Sequence, residues 1–411
     1  MRTPEPAVLV GPEGGANRAT FVELFFDLVF VFALTRISAR AFEDLALEAG
    51  KTGWTFLTGG GKTLLLLLAL WAVWQGTAWT TSRYDPYHIW LQLIVIIALV
   101  GSMVMGVAIP RAFSSTGLAF AVAYVVAQVS RPAILLLTLR RLQHRRLKLR
   151  MLITFSVTGV LWLAGALLPT DPRVTLWTLA LLLEYLASRF GWPVPGLGRS
   201  TVSRWDIHGE HLAERYQQFF LVALGETILV AGLAYVRDPG SGTRTAAFAA
   251  ALLTTVLYWR IYVQRAGRIL GEAVTRAAHP ATIGRSAADT HLVMVVGVVS
   301  TAIGYELVNE HPTGHNEVGW LAMILGGPAL FLLGRARFEY EVFGRVSPSR
   351  WIAALVLVLL MPLLKPALPL TAAVATPLVA AIAAPLVLIG VAVADARRAR
   401  GKPLEAAAPP F

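Results

Sequence analysis

Twelve apolar stretches follow one another along the chain, most of them close to the length a helix needs to cross a bilayer and the tenth and eleventh short. A hydrocarbon core about 30 Å thick takes about 20 helical residues, and within it every backbone N–H and C=O must be satisfied inside the segment. The runs lie at Phe21–Ser38, Thr63–Thr81, Ile89–Ile109, Gly117–Leu139, Met151–Leu168, Val174–Ser188, Tyr216–Val236, Ala246–Val263, Thr290–Val308, Gly319–Gly334, Trp351–Leu363 and Ala372–Val393. They predict an all-α fold, a polytopic transmembrane helix bundle of about 12 spans.

Composition agrees. Of 411 residues, 56% are hydrophobic and only 15% charged, against about a quarter charged in soluble domains. The net charge of +12 sits in short clusters between the apolar runs. That is the pattern of membrane-flanking loops and excludes a nucleic-acid partner as the reading of the charge. There is no cysteine, which excludes disulfides, thiolate metal sites and thiol catalysis. The first run follows a Pro/Gly-rich polar leader and contains Glu23 and Asp27, so it is expected to stay in the mature protein rather than be cleaved as a signal peptide.

With twelve crossings, the termini and even-numbered loops share one side, and that side collects the basic residues, the cluster within Arg140–Arg150 foremost. The positive-inside rule then places both termini in the cytoplasm of a multi-pass cell-membrane protein, with membrane lipids as its surroundings. The expected organisation is a cytoplasmic leader over 1–20, a first six-helix half over 21–188, a cytoplasmic linker over 189–215, a second half over 216–393 and a cytoplasmic tail over 394–411. The halves can be laid over one another with Glu23 on Glu214, and with Asp85-Pro-Tyr-His88 on Asp289-Thr-His291, each read as opening a helix. Such a match is that of a parallel six-plus-six repeat.

Ionisable residues in these runs are grouped. A charge at mid-membrane costs at least about 2.5–3.5 kcal/mol, so such groups face the bundle interior and pair. Glu23 and Asp27 stand four apart on one face of the first helix. His208, Glu210, His211, Glu214 and Arg215 crowd the entry to the seventh, Glu226 lies deep within it, and His291 opens the ninth. One reading is a polar cavity open to the cytoplasm, built from the first, third, seventh and ninth spans, that passes protons or holds a small cation. The other is a set of buried ion pairs, Glu23 or Glu214 with Arg36, Arg131 or Arg215, that fix helix register. Both stand for Glu23 and Glu214; the depth of Glu226 favours function.

Other motifs carry less. Gly59-Gly-Gly-Lys-Thr63 lacks the first glycine and the preceding strand of a phosphate loop, and reads as an extracytoplasmic linker. His208 and His211 are three apart rather than four, so they do not form a zinc-protease pair and read as solvated loop-end residues. No metal and no cofactor are expected. Trp71, Trp74, Trp79 and Trp90 read as interface anchors or packing.

The segment Phe21–Ser38, with its Glu-Leu-Phe-Phe-Asp core, resembles the opening signature of the bacterial low temperature requirement A (LtrA) family. His211-Leu-Ala-Glu-Arg-Tyr followed by Val222–Leu229 is similar to that family's histidine–acid–arginine segment and its Leu-Gly-Glu helix, and His291 resembles a third block. The resemblance places Glu23, Asp27, His211, Glu214, Arg215, Glu226 and His291 on the family's polar signature and implies a membrane role in cold growth without a catalytic assignment. The leading expectation is a bacterial inner-membrane transporter or channel for protons or a small cation. Two further readings fit the same residues: a membrane-embedded enzyme using a buried acid on a lipid or isoprenoid, and a structural or lipid-sensing protein. No residue pattern sets the oligomeric state.

Overall fold

The computed structural model describes residues 18–47, 53–139, 142–200, 207–237, 239–365, 375–401 and 405–410. The expected leader up to residue 17, Arg204 in the expected linker and positions 372–374 of the last run lie outside them. Among the described residues the fold is helical with no named strand. The helices are α1 (Phe21–Leu47), α2 (Gly53–Thr81), α3 (Ile89–Ala108), α4 (Gly117–Thr138), α5 (Leu142–Ala166), α6 (Thr170–Arg189) and α7 (Gly209–Val236). They continue as α8 (Gly242–Tyr262), α9 (Arg268–Arg276), α10 (Pro280–Glu310), α11 (Val318–Ile324), α12 (Gly326–Phe343), α13 (Pro348–Leu364) and α14 (Pro377–Ala399).

Among the described residues each apolar run maps onto a helix, the tenth onto two, as it must where lipid offers no partner for a loose backbone. By length and apolar character, 8 of the described helices suffice to cross a membrane, or 9 if α11 and α12, bent by 40° at their junction, are one broken span. The remaining runs differ for visible reasons. α1 and α6 carry acids and arginines along their length, and α13 has only 17 residues. The protein is a polytopic helical membrane bundle.

Three expectations about helix ends are corrected. Gly59–Thr63 is not a linker but part of α2, which begins at Gly53. α7 starts at Gly209, so His211, Glu214 and Arg215 sit in its first two turns rather than before it. His291 does not open a helix: α10 starts at Pro280, three turns earlier, whereas His88 is the N-cap of α3. The repeat therefore loses the match between Asp85–His88 and Asp289–His291.

The chain divides into two compact units that interleave in sequence: Met1–Arg36, Leu64–Arg215 and His279–Thr282 form one, and Ile37–Thr63, Tyr216–Ala278 and Ile283–Phe411 the other. In the first, α3, α4, α5 and α6 pack in succession. Phe120, Trp162 and Trp177 stack between them, with Phe120 and Trp177 5.5 Å apart.

In the second unit, α10 meets α11 and α12 almost backbone to backbone. A Cβ on Gly297 would lie 2.6 Å from Phe331 N, and one on Gly304 2.8 Å from Ile324 N. Glycine contacts of this kind replace the hydrophobic drive that is missing between helices in lipid. α8 ends in a π-helical turn over Val263–Gly267. Arg335 donates from Nε to the Ile261 carbonyl at 3.0 Å and from Nη2 to that of Gln264 at 2.8 Å. A wide turn frees carbonyls from the α-helical ladder, and the guanidinium satisfies them.

Candidate functional site

α1 is started by Thr20 and Glu23. The Thr20 backbone N–H and hydroxyl both donate to Glu23 Oε2 at 2.9 Å, which is the return half of a capping box. This fixes the Glu23 carboxylate at the helix mouth, fully buried. The same oxygen lies 3.2 Å from His211 Nε2, and His211 Nδ1 lies 2.9 Å from the Ser82 hydroxyl at the end of α2. A neutral ring here donates from Nε2–H to the carboxylate and accepts at Nδ1 from the hydroxyl, and a protonated ring donates to both. His211 is buried and His208 exposed. The solvated loop-end reading holds for His208 and is corrected for His211, which the first turn of α7 turns inward.

One turn further along both helices, Arg215 Nη2 donates to Asp27 Oδ1 at 2.7 Å while its Nε stands 3.7 Å from Glu23 Oε1. The i, i+4 spacing in each helix sets the pairing: Glu23 and Asp27 on α1 face His211 and Arg215 on α7. Trp74 of α2 donates its indole N–H to the same Asp27 oxygen at 2.8 Å. Around this centre Glu214 Oε2 accepts the Ala19 N–H at 2.8 Å, pinning the chain as it enters α1. Two carboxylates, an arginine and an imidazole thus share one buried, hydrogen-bonded cluster.

The cluster joins the first and seventh spans of the expectation, α1 and α7, with α2 in place of the third and ninth. Of the ion pairs considered, Glu23 with Arg215 is present, and Arg131 instead donates to Gln128 Oε1 at 2.7 Å. Trp71 and Trp74 are buried packing residues and not interface anchors. Sequence reasoning missed Thr20, Trp74 and Ser82 as partners; for Thr20 a signal existed in the Thr-x-x-Glu spacing of residues 20–23.

Glu226 and His291 belong to the second unit, and both are buried. His291 Nδ1–H donates to the Ala287 carbonyl at 2.7 Å, its Nε2 accepts from the Tyr262 hydroxyl at 2.9 Å, and Tyr216 stacks on its ring at 4.9 Å. The ring is held on both edges and one face, the environment of a packed, neutral imidazole. Among the described residues no group of three or more histidines and acids has the arrangement of a metal site.

The family model of the bacterial low temperature requirement A protein (LtrA) matches residues 18–392. The chain belongs to the LtrA family. All seven signature positions, Glu23 to His291, lie inside the matched range. An uncharacterized protein of Rhizobium meliloti (strain 1021) is 34% identical over 335 residues, covering 81% of this chain and 79% of its own. No solved structure matches.

Proposed function

We propose that this LtrA-family protein is a transporter or channel for protons or a small cation, with Glu23, Asp27, His211 and Arg215 as its ionisable centre. The observation that carries the reading is the buried run from the Ser82 hydroxyl through both nitrogens of His211 to Glu23, whose carboxylate shares Arg215 with Asp27. Groups that change protonation within one hydrogen-bonded chain are the parts a proton path needs, and intramembrane charges of this kind are costly enough to mark function. Glu226, buried in α7, is a second protonatable position of the same reading. The orientation that goes with it sets both termini in the cytoplasm of an inner-membrane protein, from the distribution of arginine and lysine.

The test is proton and cation flux into liposomes holding the purified chain, compared with Asp27→Asn, His211→Asn and Glu226→Gln. Flux in the unmodified protein that is lost in folded Asp27→Asn or His211→Asn supports the centre. Absence of flux under an imposed pH gradient and with Na⁺ or K⁺ sinks the transport reading. Variants that lose stability in a chain without flux make the cluster a structural fastening instead.

A further inference from the structure

A second buried polar group lies in the first unit, with the opposite charge. Arg131 of α4 is almost fully buried, at 3% exposure, and its Nε and Nη1 have no hydrogen-bond partner. Its guanidinium occupies the space over Gly76, where a Cβ would come within 2.1 Å of Nη1. Lys148 of α5 is buried at 5% exposure and lies 5.3 Å over the ring of Tyr84, and Arg83 lies 5.6 Å over the same ring. The charged groups that act on Lys148 are both cations, Arg83 and Arg131. The Tyr84 hydroxyl is itself buried without a hydrogen-bond partner. Glu184, whose charge acts on Arg131, is already engaged by the Tyr124 hydroxyl and by the Trp162 N–H at 3.3 Å.

Among the described residues Glu184 is the one carboxylate that acts on Arg131, and none acts on Lys148; three cations against a single, already engaged acid repel one another, and each buried donor left unmade costs about 1–3 kcal/mol. A native fold keeps such a group where an anion completes it, and guanidinium, ammonium and phenol donors together match the oxygens of a phosphate. The position supports this. Arg83 and Tyr84 follow α2 and Lys148 lies in the second turn of α5, so the group sits toward the ends of these helices, where basic residues can meet an anionic headgroup. Arg145 and Arg146, one turn before Lys148, are exposed and add attraction for an anion at that surface.

We propose that Arg83, Arg131, Lys148 and Tyr84 form a phosphate-binding site, filled by a free phosphate or by the phosphate of an anionic lipid headgroup. Gly76 keeps the seat of Arg131 open. The site is independent of the transport reading and of the acidic cluster.

The experiment measures binding of radiolabelled inorganic phosphate to the full chain in detergent, and of phosphatidic acid against phosphatidylcholine in nanodiscs. Saturable binding of either anionic probe is expected, with phosphatidylcholine inert. It weakens by about tenfold or more in Arg131→Gln and Lys148→Gln, and also in Gly76→Ala, which keeps every charge but displaces the guanidinium. Arg237→Gln, in the other unit, leaves it unchanged. Phosphate binding names the free anion as ligand, and phosphatidic acid alone names the lipid. Lys148→Gln alone decides the matter if the substitutions at Arg131 and Gly76 fail to fold. The proposal is overturned if the unmodified chain binds neither probe, or if folded Lys148→Gln binds as tightly as the unmodified chain.

Discussion

In Arg215→Gln, Glu23 and Asp27 keep their places on α1 but lose the guanidinium that faces both. The 2.7 Å contact to Asp27 is a charge-assisted hydrogen bond and the 3.7 Å approach to Glu23 is Coulombic, with both partners out of water. Removing one member of a buried pair costs about 3–5 kcal/mol, because the other charge stays buried. A glutamine amide can restore one neutral bond to Asp27, worth about 1 kcal/mol. The expected loss is therefore about 3 kcal/mol, read from an SDS titration in mixed micelles followed by tryptophan fluorescence. Asp27→Asn in the same background removes part of the stranded charge, so the double variant should be more stable than the sum of the singles by about 1 kcal/mol or more. The reasoning is refuted if Arg215→Gln lies within about 1 kcal/mol of the unmodified chain, the range of an exposed pair, or if the two changes simply add.

Trp74→Phe keeps the ring packing but removes the N–H donated to Asp27, and should lower stability by about 1.5–3 kcal/mol in the same titration. Gly297→Ala places a methyl against the Phe331 backbone and should cost about 1–3 kcal/mol or prevent folding; an unchanged midpoint would show that α10 and α12 do not pack this closely. Arg335→Met strips donors from the Ile261 and Gln264 carbonyls, with an expected loss of at least about 2 kcal/mol, checked by faster hydrogen exchange around Val263–Gly267. His208→Ala, at an exposed position, should be neutral to within about 0.5 kcal/mol, whereas His211→Ala, buried between Ser82 and Glu23, should not.

The helices were legible because lipid leaves the backbone no other choice, so length and apolar character alone mark them. Their ends were less so. His211 and Arg215 look like loop residues because the first two turns of α7 are polar, yet those turns are buried against α1 and α2. For α10, Pro280 offered a start signal that the apolar run beginning at Thr290 concealed. The facing of Glu23 and Asp27 was legible from their spacing, but their partners were not: His211 and Arg215 each lie 188 positions away in sequence. Trp74 reads as a membrane aromatic until Asp27 is found beside its N–H, since an indole announces nothing of its acceptor.

That separation of 188 residues bears on how the protein is made. During synthesis α1 emerges with both acids and waits until α7 follows before its arginine exists. Both acids lie in the first two turns of α1 and are buried, so α1 has its full set of partners only when the start of α7 arrives. A chain cut short anywhere between has a first helix whose two acids lack the arginine that compensates them.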